Sequence, residues 1–122
     1  MTLEQKKADA KQTARLAVEA LQEKKGLDIA LLDLTHIGNS VADYFIICTG
    51  NSDTQLGALT DSVEKELKEK IQQTPWRKEG TQQNQWVILD YIDVVVHIFM
   101  KSTRQFYDLE NLWGDAKVTR FE

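Results

Sequence analysis

The chain has 122 residues, 42% of them hydrophobic and 28% charged, with 15 Lys and Arg against 19 Asp and Glu. That length buries a single core without disulfides or metals, so one domain spanning 1–122 is expected. The net charge of −4 argues against direct nucleic-acid binding, which needs clustered basic side chains. An acidic domain of this kind reaches a nucleoprotein by docking on a basic protein there.

No run approaches the ~20 apolar residues of a membrane span, and the opening MTLEQKKADAKQ has no apolar signal core. A cytoplasmic location is expected. From Leu3 to Lys25, apolar residues at Ala10, Ala14, Ala17, Val18 and Leu21 share one helical face, with a basic last turn at Lys24-Lys25 and a stop at Gly26. Asp28–Leu34 reads as a strand, Gly38-Asn39-Ser40 as a turn and YFIICT (Tyr44–Thr49) as a second strand holding the lone Cys48, expected as a buried reduced thiol. Ser52 and Gln55 form a capping box ahead of a helix of about five turns marked by Leu56, Leu59, Val63, Leu67 and Ile71.

Pro75 and Gly80 lie in a polar link to Trp86, whose Gln82–Gln85 stretch reads as a solvated loop. WVILD and DVVVHIF follow as strands separated by Tyr91-Ile92, in an antiparallel hairpin or one bent ribbon. Thr103 is placed to cap a short helix carrying Phe106, Leu109, Glu110 and Trp113, and Lys117–Phe121 alternates like a marginal edge strand. The order αββαββα predicts an α/β sandwich, a mixed β-sheet flanked by α-helices.

Catalytic readings are weak. Two-metal nucleotidyl transfer needs carboxylates converging on ions about 4 Å apart, but Asp90 and Asp93 are three apart and face opposite sides of a regular strand. Gly50-Asn51-Ser52 at a helix start suits an anion but lacks a partner lysine. His97, sharing a face with Val95 and Phe99, reads as a hydrogen-bonded core histidine, and His36 sits in a loop without a second ligand. Two histidines and one cysteine support no nucleophilic triad. A non-enzyme without cofactor or metal is expected.

The aromatic and acidic residues of the last third suit a protein-binding surface. Burying a tryptophan removes roughly 200 Å² from water, worth several kcal/mol, so Trp86 and Trp113 belong either in the core or under a partner. Phe106 and Leu109 read as the packed stripe of the short helix, Tyr107, Glu110 and Asp115 as its polar or contacting side, and Arg104 pairs locally with Asp108 at i+4.

DYFIICTGNS (Asp43–Ser52) with Gln55, and WVILDYIDVVVHIF (Trp86–Phe99) with Arg104, Phe106-Tyr107, Leu109-Glu110, Leu112-Trp113 and Asp115-Ala116, resemble the signature of the ribosomal silencing factor or Iojap-like family. The resemblance runs from the N-terminal helix to Ala116. It implies a nucleotidyltransferase-like fold without catalytic carboxylates, and docking on large-subunit ribosomal protein fourteen (uL14). Such docking blocks association with the small subunit and represses translation under nutrient limitation. Homodimers, and a role in large-subunit biogenesis, are also implied by relatives.

Position by position, Trp86, Asp93 and Asp115 match the residues expected at the ribosomal-protein contact, with Tyr107, Glu110 and Trp113 as neighbours. Trp86 is then the apolar anchor, while Asp93 and Asp115 meet basic side chains. The chain departs from the family pattern at Ile92, where many members have Gly, and at Lys117, where proline often follows Asp-Ala. Ile92 must therefore avoid positive φ or strain a β-branched residue. A metal-dependent nucleotidyltransferase and a homodimeric scaffold using the same aromatic surface are the readings from other classes.

Overall fold

The computed structural model describes residues 3–121, with side chains from Ala10 onward. These residues form α1 (Leu3–Glu23), β1 (Leu27–Asp33), β2 (Tyr44–Gly50), α2 (Asp53–Ile71), β3 (Arg77–Glu79), β4 (Trp86–Asp90), β5 (Val94–Met100), α3 (Lys101–Tyr107), α4 (Leu109–Leu112) and β6 (Lys117–Phe121). The described strands make one mixed sheet in the order β3-β4-β5-β2-β1-β6. Only the central β2–β5 pair among them is parallel. Such a pair needs a long crossover, which α2, β3 and β4 supply.

The apolar stripe of α1 is buried as its spacing predicts, and α1 packs beside α2 on one face of the sheet. The helix stops at Glu23 rather than Lys25. Lys25 itself takes the left-handed conformation (φ 59°), while Lys25 N–H reaches Gln22 O and Gly26 N–H reaches Leu21 O. This is a Schellman ending with lysine in the usual glycine position. Gly26 serves packing instead, since a Cβ there would run into Cys48 Sγ. Burial pushes that thiol up to about 12.

The capping box forms: Ser52 Oγ accepts from Gln55 N–H at 3.1 Å, and Gln55 Oε1 from Asn51 N–H at 2.6 Å. Those amides are thereby occupied, which removes them from the anion reading. β4 and β5 form the antiparallel hairpin, but Asp93 lies in its turn, not in β5. The polar link after Pro75 contains a strand that the sequence does not announce. β3 is three exposed residues, Arg-Lys-Glu, held by their ladder to β4 and by an ion pair from Lys78 to Glu64 of α2 at 3.1 Å. The tail does form an edge strand, β6, paired antiparallel with β1.

The second face of the sheet, made by Ala30, Leu32, Phe45, Ile47, Val95 and Phe99, is covered over part of its width by Leu109, Trp113 and Ala116. Here several expectations fail. Thr103 is inside α3 rather than at its cap. The helix leaves β5 directly, with Met100 at the N-cap and no side-chain cap bond. Asp108 (φ 47°) breaks the expected single helix into α3 and α4. Phe106 is 80% exposed and not part of a packed stripe. The helix break turns Phe106 outward while Leu109 reaches the core.

Candidate functional site

Trp86 opens β4 on the second face, directly across from Phe99 of β5. Its indole stacks on Phe99 (centroids 4.9 Å apart, planes 26°) and touches the Tyr107 ring at 4.5 Å. Its Nε1–H donates to His97 Nδ1 at 3.1 Å. Indole N–H only donates, so Nδ1 must be the accepting nitrogen of a neutral imidazole whose proton sits on Nε2. Burial lowers the His97 pKa to about 4, which keeps it neutral. His97 Nε2 is buried with no hydrogen-bond partner. His97 is thus the buried histidine the sequence suggests, bonded on one nitrogen only. Trp86 itself is half-buried, while Tyr107 is 50% exposed beside the exposed Phe106.

Arg104 holds this aromatic helix to the sheet, though not through Asp108. Its Nε and Nη2 grip the two Glu110 oxygens, each at 3.1 Å, and its Nη1 donates to Thr49 Oγ1 at 2.8 Å and Asp28 O at 2.6 Å. Asp28 (φ 48°) lies where the β1–β2 register shifts, so the guanidinium takes up the carbonyl of a bulge. Arg120 of β6 adds a second contact to Glu110 at 3.2 Å. Burial raises the Glu110 pKa, but the hydrogen bonds and charges of Arg104 and Arg120 outweigh it and hold the carboxyl below its ordinary range. Glu110 is therefore not on an outward polar face as expected; it is an internal clamp between α3, α4 and β6.

Trp113 caps the end of α4 and meets Phe45 edge-on at 5.8 Å. Asp115 is exposed, and its carbonyl lies 3.2 Å from His36 Nε2. Asp93 lies in the turn beyond β4, six residues before Phe99, the partner of Trp86, and so roughly 20 Å from Trp86 at ~3.3 Å per strand residue. Asp90 Oδ1 accepts from Ile92 N–H at 2.8 Å, and Asp93 N–H returns to Tyr91 O at 2.9 Å across Ile92. Ile92 has φ 74°, so the β-branched residue is held in a strained γ-turn geometry. Trp86 and Tyr107 thus touch, and Trp113 joins them through the Phe45 and His97 rings. Asp93 and Asp115 flank the patch rather than sit in it.

Beside the patch lies a cleft of about 610 Å³ whose floor includes Phe45, Ile88, Val95 and His97. Val41, Trp76 and Ile92 wall it, and all three are exposed. None of these walls was singled out as a site residue from the sequence, because Val41 and Trp76 sit in loops with no periodicity. Among the described residues, no group of three or more His, Cys, Asp or Glu could hold a metal ion, and no helix is long and apolar enough to cross a membrane.

Residues 7–122 match the family model described as ribosomal silencing factor during starvation. The chain belongs to the ribosomal silencing factor family. Ribosomal silencing factor RsfS of Bacillus subtilis is 42% identical over 108 residues, covering 88% of this chain and 90% of that protein. A crystal structure of a Chromobacterium violaceum protein superposes with a TM-score of 0.79 at 40% identity, covering 85% of each chain. Mitochondrial assembly of ribosomal large subunit protein 1 of Mus musculus is 30% identical over 100 residues, covering 80% of this chain and 43% of that protein.

Proposed function

We propose that this chain is a non-catalytic silencing factor that docks on the large ribosomal subunit through uL14 and blocks joining of the small subunit, repressing translation when nutrients are limited. The observation that carries the reading is the Trp86–Tyr107 pair, an aromatic contact left partly open on a face fixed from beneath by His97 and Arg104. A preorganised aromatic of this kind is the usual energetic centre of a protein interface. Asp93 and Asp115 supply flanking acidity, and the net charge of −4 favours encounter with a basic ribosomal protein. No turnover is needed, only occupancy of a surface. The protein acts in the cytoplasm, and self-association through the same aromatics competes with docking.

A second reading, large-subunit assembly, is favoured by the name of the mouse relative. It uses the same docking and differs only in when the factor leaves. The deciding experiment is co-sedimentation of the purified chain with separated subunits. Binding to the large subunit alone, lost in Trp86→Ala, is the expected result. A folded Trp86→Ala that pellets undiminished refutes the anchor. No pelleting of the wild type at moderate salt refutes the docking reading itself.

A further inference from the structure

The cleft walled by Val41, Trp76 and Ile92 also carries a base and an acid, placed by the β3–β4 ladder. Arg77 and Asp90 are register partners across these strands, so their side chains project to one face of the sheet, and both line the cleft. Arg77 Nη2 and Asp90 Oδ2 stand 3.8 Å apart. The charges attract at that spacing, but it is too long for a hydrogen bond. A donor and an acceptor are left side by side. Asp90 Oδ1 accepts from Ile92 N–H at 2.8 Å, which orients the carboxylate and uses one of its roughly four acceptor positions. The Arg77 guanidinium lies over the Trp76 ring at 5.6 Å, with Glu79 Oε2 3.8 Å from its Nε. Trp76 is nonetheless 68% exposed, a large aromatic surface that the fold leaves uncovered. The floor is apolar, and the His97 Nε2 beneath it is sealed and takes no part.

An aromatic plane beside an adjacent donor and acceptor is the complement of a flat heterocycle whose N–H groups neighbour a carbonyl. We propose that this cleft binds a guanine base. The ring stacks on Trp76, its N1–H and N2–H donate to the Asp90 carboxylate, and its O6 accepts from Arg77. Adenine presents a single N–H on the same edge, so guanine is preferred. Charge decides which part of a nucleotide is recognised. Asp90 and Glu79 outnumber Arg77 at the rim, and the chain carries a net −4, so phosphates are disfavoured and the base itself is the recognised unit. A free nucleoside and an unpaired guanine in an RNA loop both supply that unit. The strained turn has a use here. At φ 74° Ile92 aims its N–H at Asp90, while its 56% exposed side chain walls the cleft. The inference goes beyond the docking reading and needs no ribosomal protein.

The test is an NMR titration of the purified chain with guanosine, adenosine and GTP, and with two RNA hairpins that differ only in one unpaired loop base, guanine or adenine. Guanosine should shift the amide signals of Trp76, Asp90 and Ile92 and bind about tenfold more tightly than adenosine, with GTP weaker than guanosine. Trp76→Ala, at an exposed position, should weaken guanosine about tenfold through lost stacking. Asp90→Asn keeps an oxygen for Ile92 N–H but turns an amide donor toward the base. Its urea midpoint should stay near that of the wild type while the preference for guanosine over adenosine disappears. An Asp90 that only braces the turn would leave that preference intact. Tighter binding of the guanine hairpin than of guanosine supports the site with an RNA loop as the source; guanosine binding without hairpin binding supports it with the free nucleoside. Binding of neither at millimolar guanosine, equal affinity for adenosine, or an unchanged preference in folded Asp90→Asn overturns the proposal. None of these results alters co-sedimentation with the large subunit, so the cleft proposal and the docking reading fail separately.

Discussion

Replacing Arg104 by Met tests the clamp that carries Tyr107 to Trp86. The side chain is 11% exposed, and its partner Glu110 is 20% exposed. Their pairing therefore falls between exposed ion pairs, worth ~0–1 kcal/mol, and buried ones, whose breaking costs ~3–5 kcal/mol. Arg120 remains to share the orphaned carboxylate, which lowers the cost. The bulge carbonyl of Asp28 and the Thr49 hydroxyl lose a charged donor as well, and such bonds are worth ~1.5–3 kcal/mol each before solvent replaces them. Met covers the apolar stem, so the net loss should be about 3 kcal/mol, or roughly 10 °C in Tm for a domain of this size.

Urea unfolding followed by circular dichroism measures it. In a cycle with Glu110→Leu, the double variant should be at least ~1 kcal/mol better than the sum of the singles. The cycle also has a pH signature. Because the folded Glu110 pKa is lowered from 4.5, its contribution is complete above that value and disappears as pH falls below it. Single costs under ~1 kcal/mol with additive behaviour would show that Arg104 does not hold the helix in place.

Two further outcomes follow from the same geometry. The folded His97 pKa is lowered from 6.5 to about 4, so between those values the unfolded chain binds the extra proton. Stability should be full above about pH 6.5 and fall by up to ~3 kcal/mol toward pH 4. Urea midpoints across this range should show that slope in wild type and lose it in His97→Phe; equal slopes contradict the buried neutral imidazole. Gly80 has φ 83°, and a Cβ there would strike the Trp86 carbonyl oxygen. Gly80→Ala should cost about 2 kcal/mol from strain and overlap and weaken large-subunit co-sedimentation by shifting Trp86, whereas an unchanged urea midpoint would contradict the close approach.

The sequence by itself determined the helical stripes of α1 and α2, the capping box at Ser52, the hairpin of β4 and β5 and the edge strand β6. Each of these is written in local spacing or turn chemistry, the part of folding that neighbouring residues decide. Family membership was equally legible, because DYFIICTGNS and WVILDYIDVVVHIF hold their order. The sequence also flagged Ile92 as a residue in the wrong place for its turn, and the structure shows it held at φ 74°.

Tertiary structure alone decided the rest. β3 has no signal in three exposed residues and forms where β4 offers a ladder and Glu64 of α2 a partner for Lys78. The lysine and glutamine that end α1 and α2 in left-handed geometry were invisible where glycine is the usual marker. Arg104 passes over Asp108, four residues away, because Asp108 itself breaks the helix and a guanidinium that crosses to Glu110 can also satisfy the β1 bulge 76 residues earlier. His97 becomes the support of Trp86 only when two strands lie side by side. Periodicity tells which face a side chain takes, but a partner across the sheet is set by register and loop path, and no single stretch of the chain encodes those.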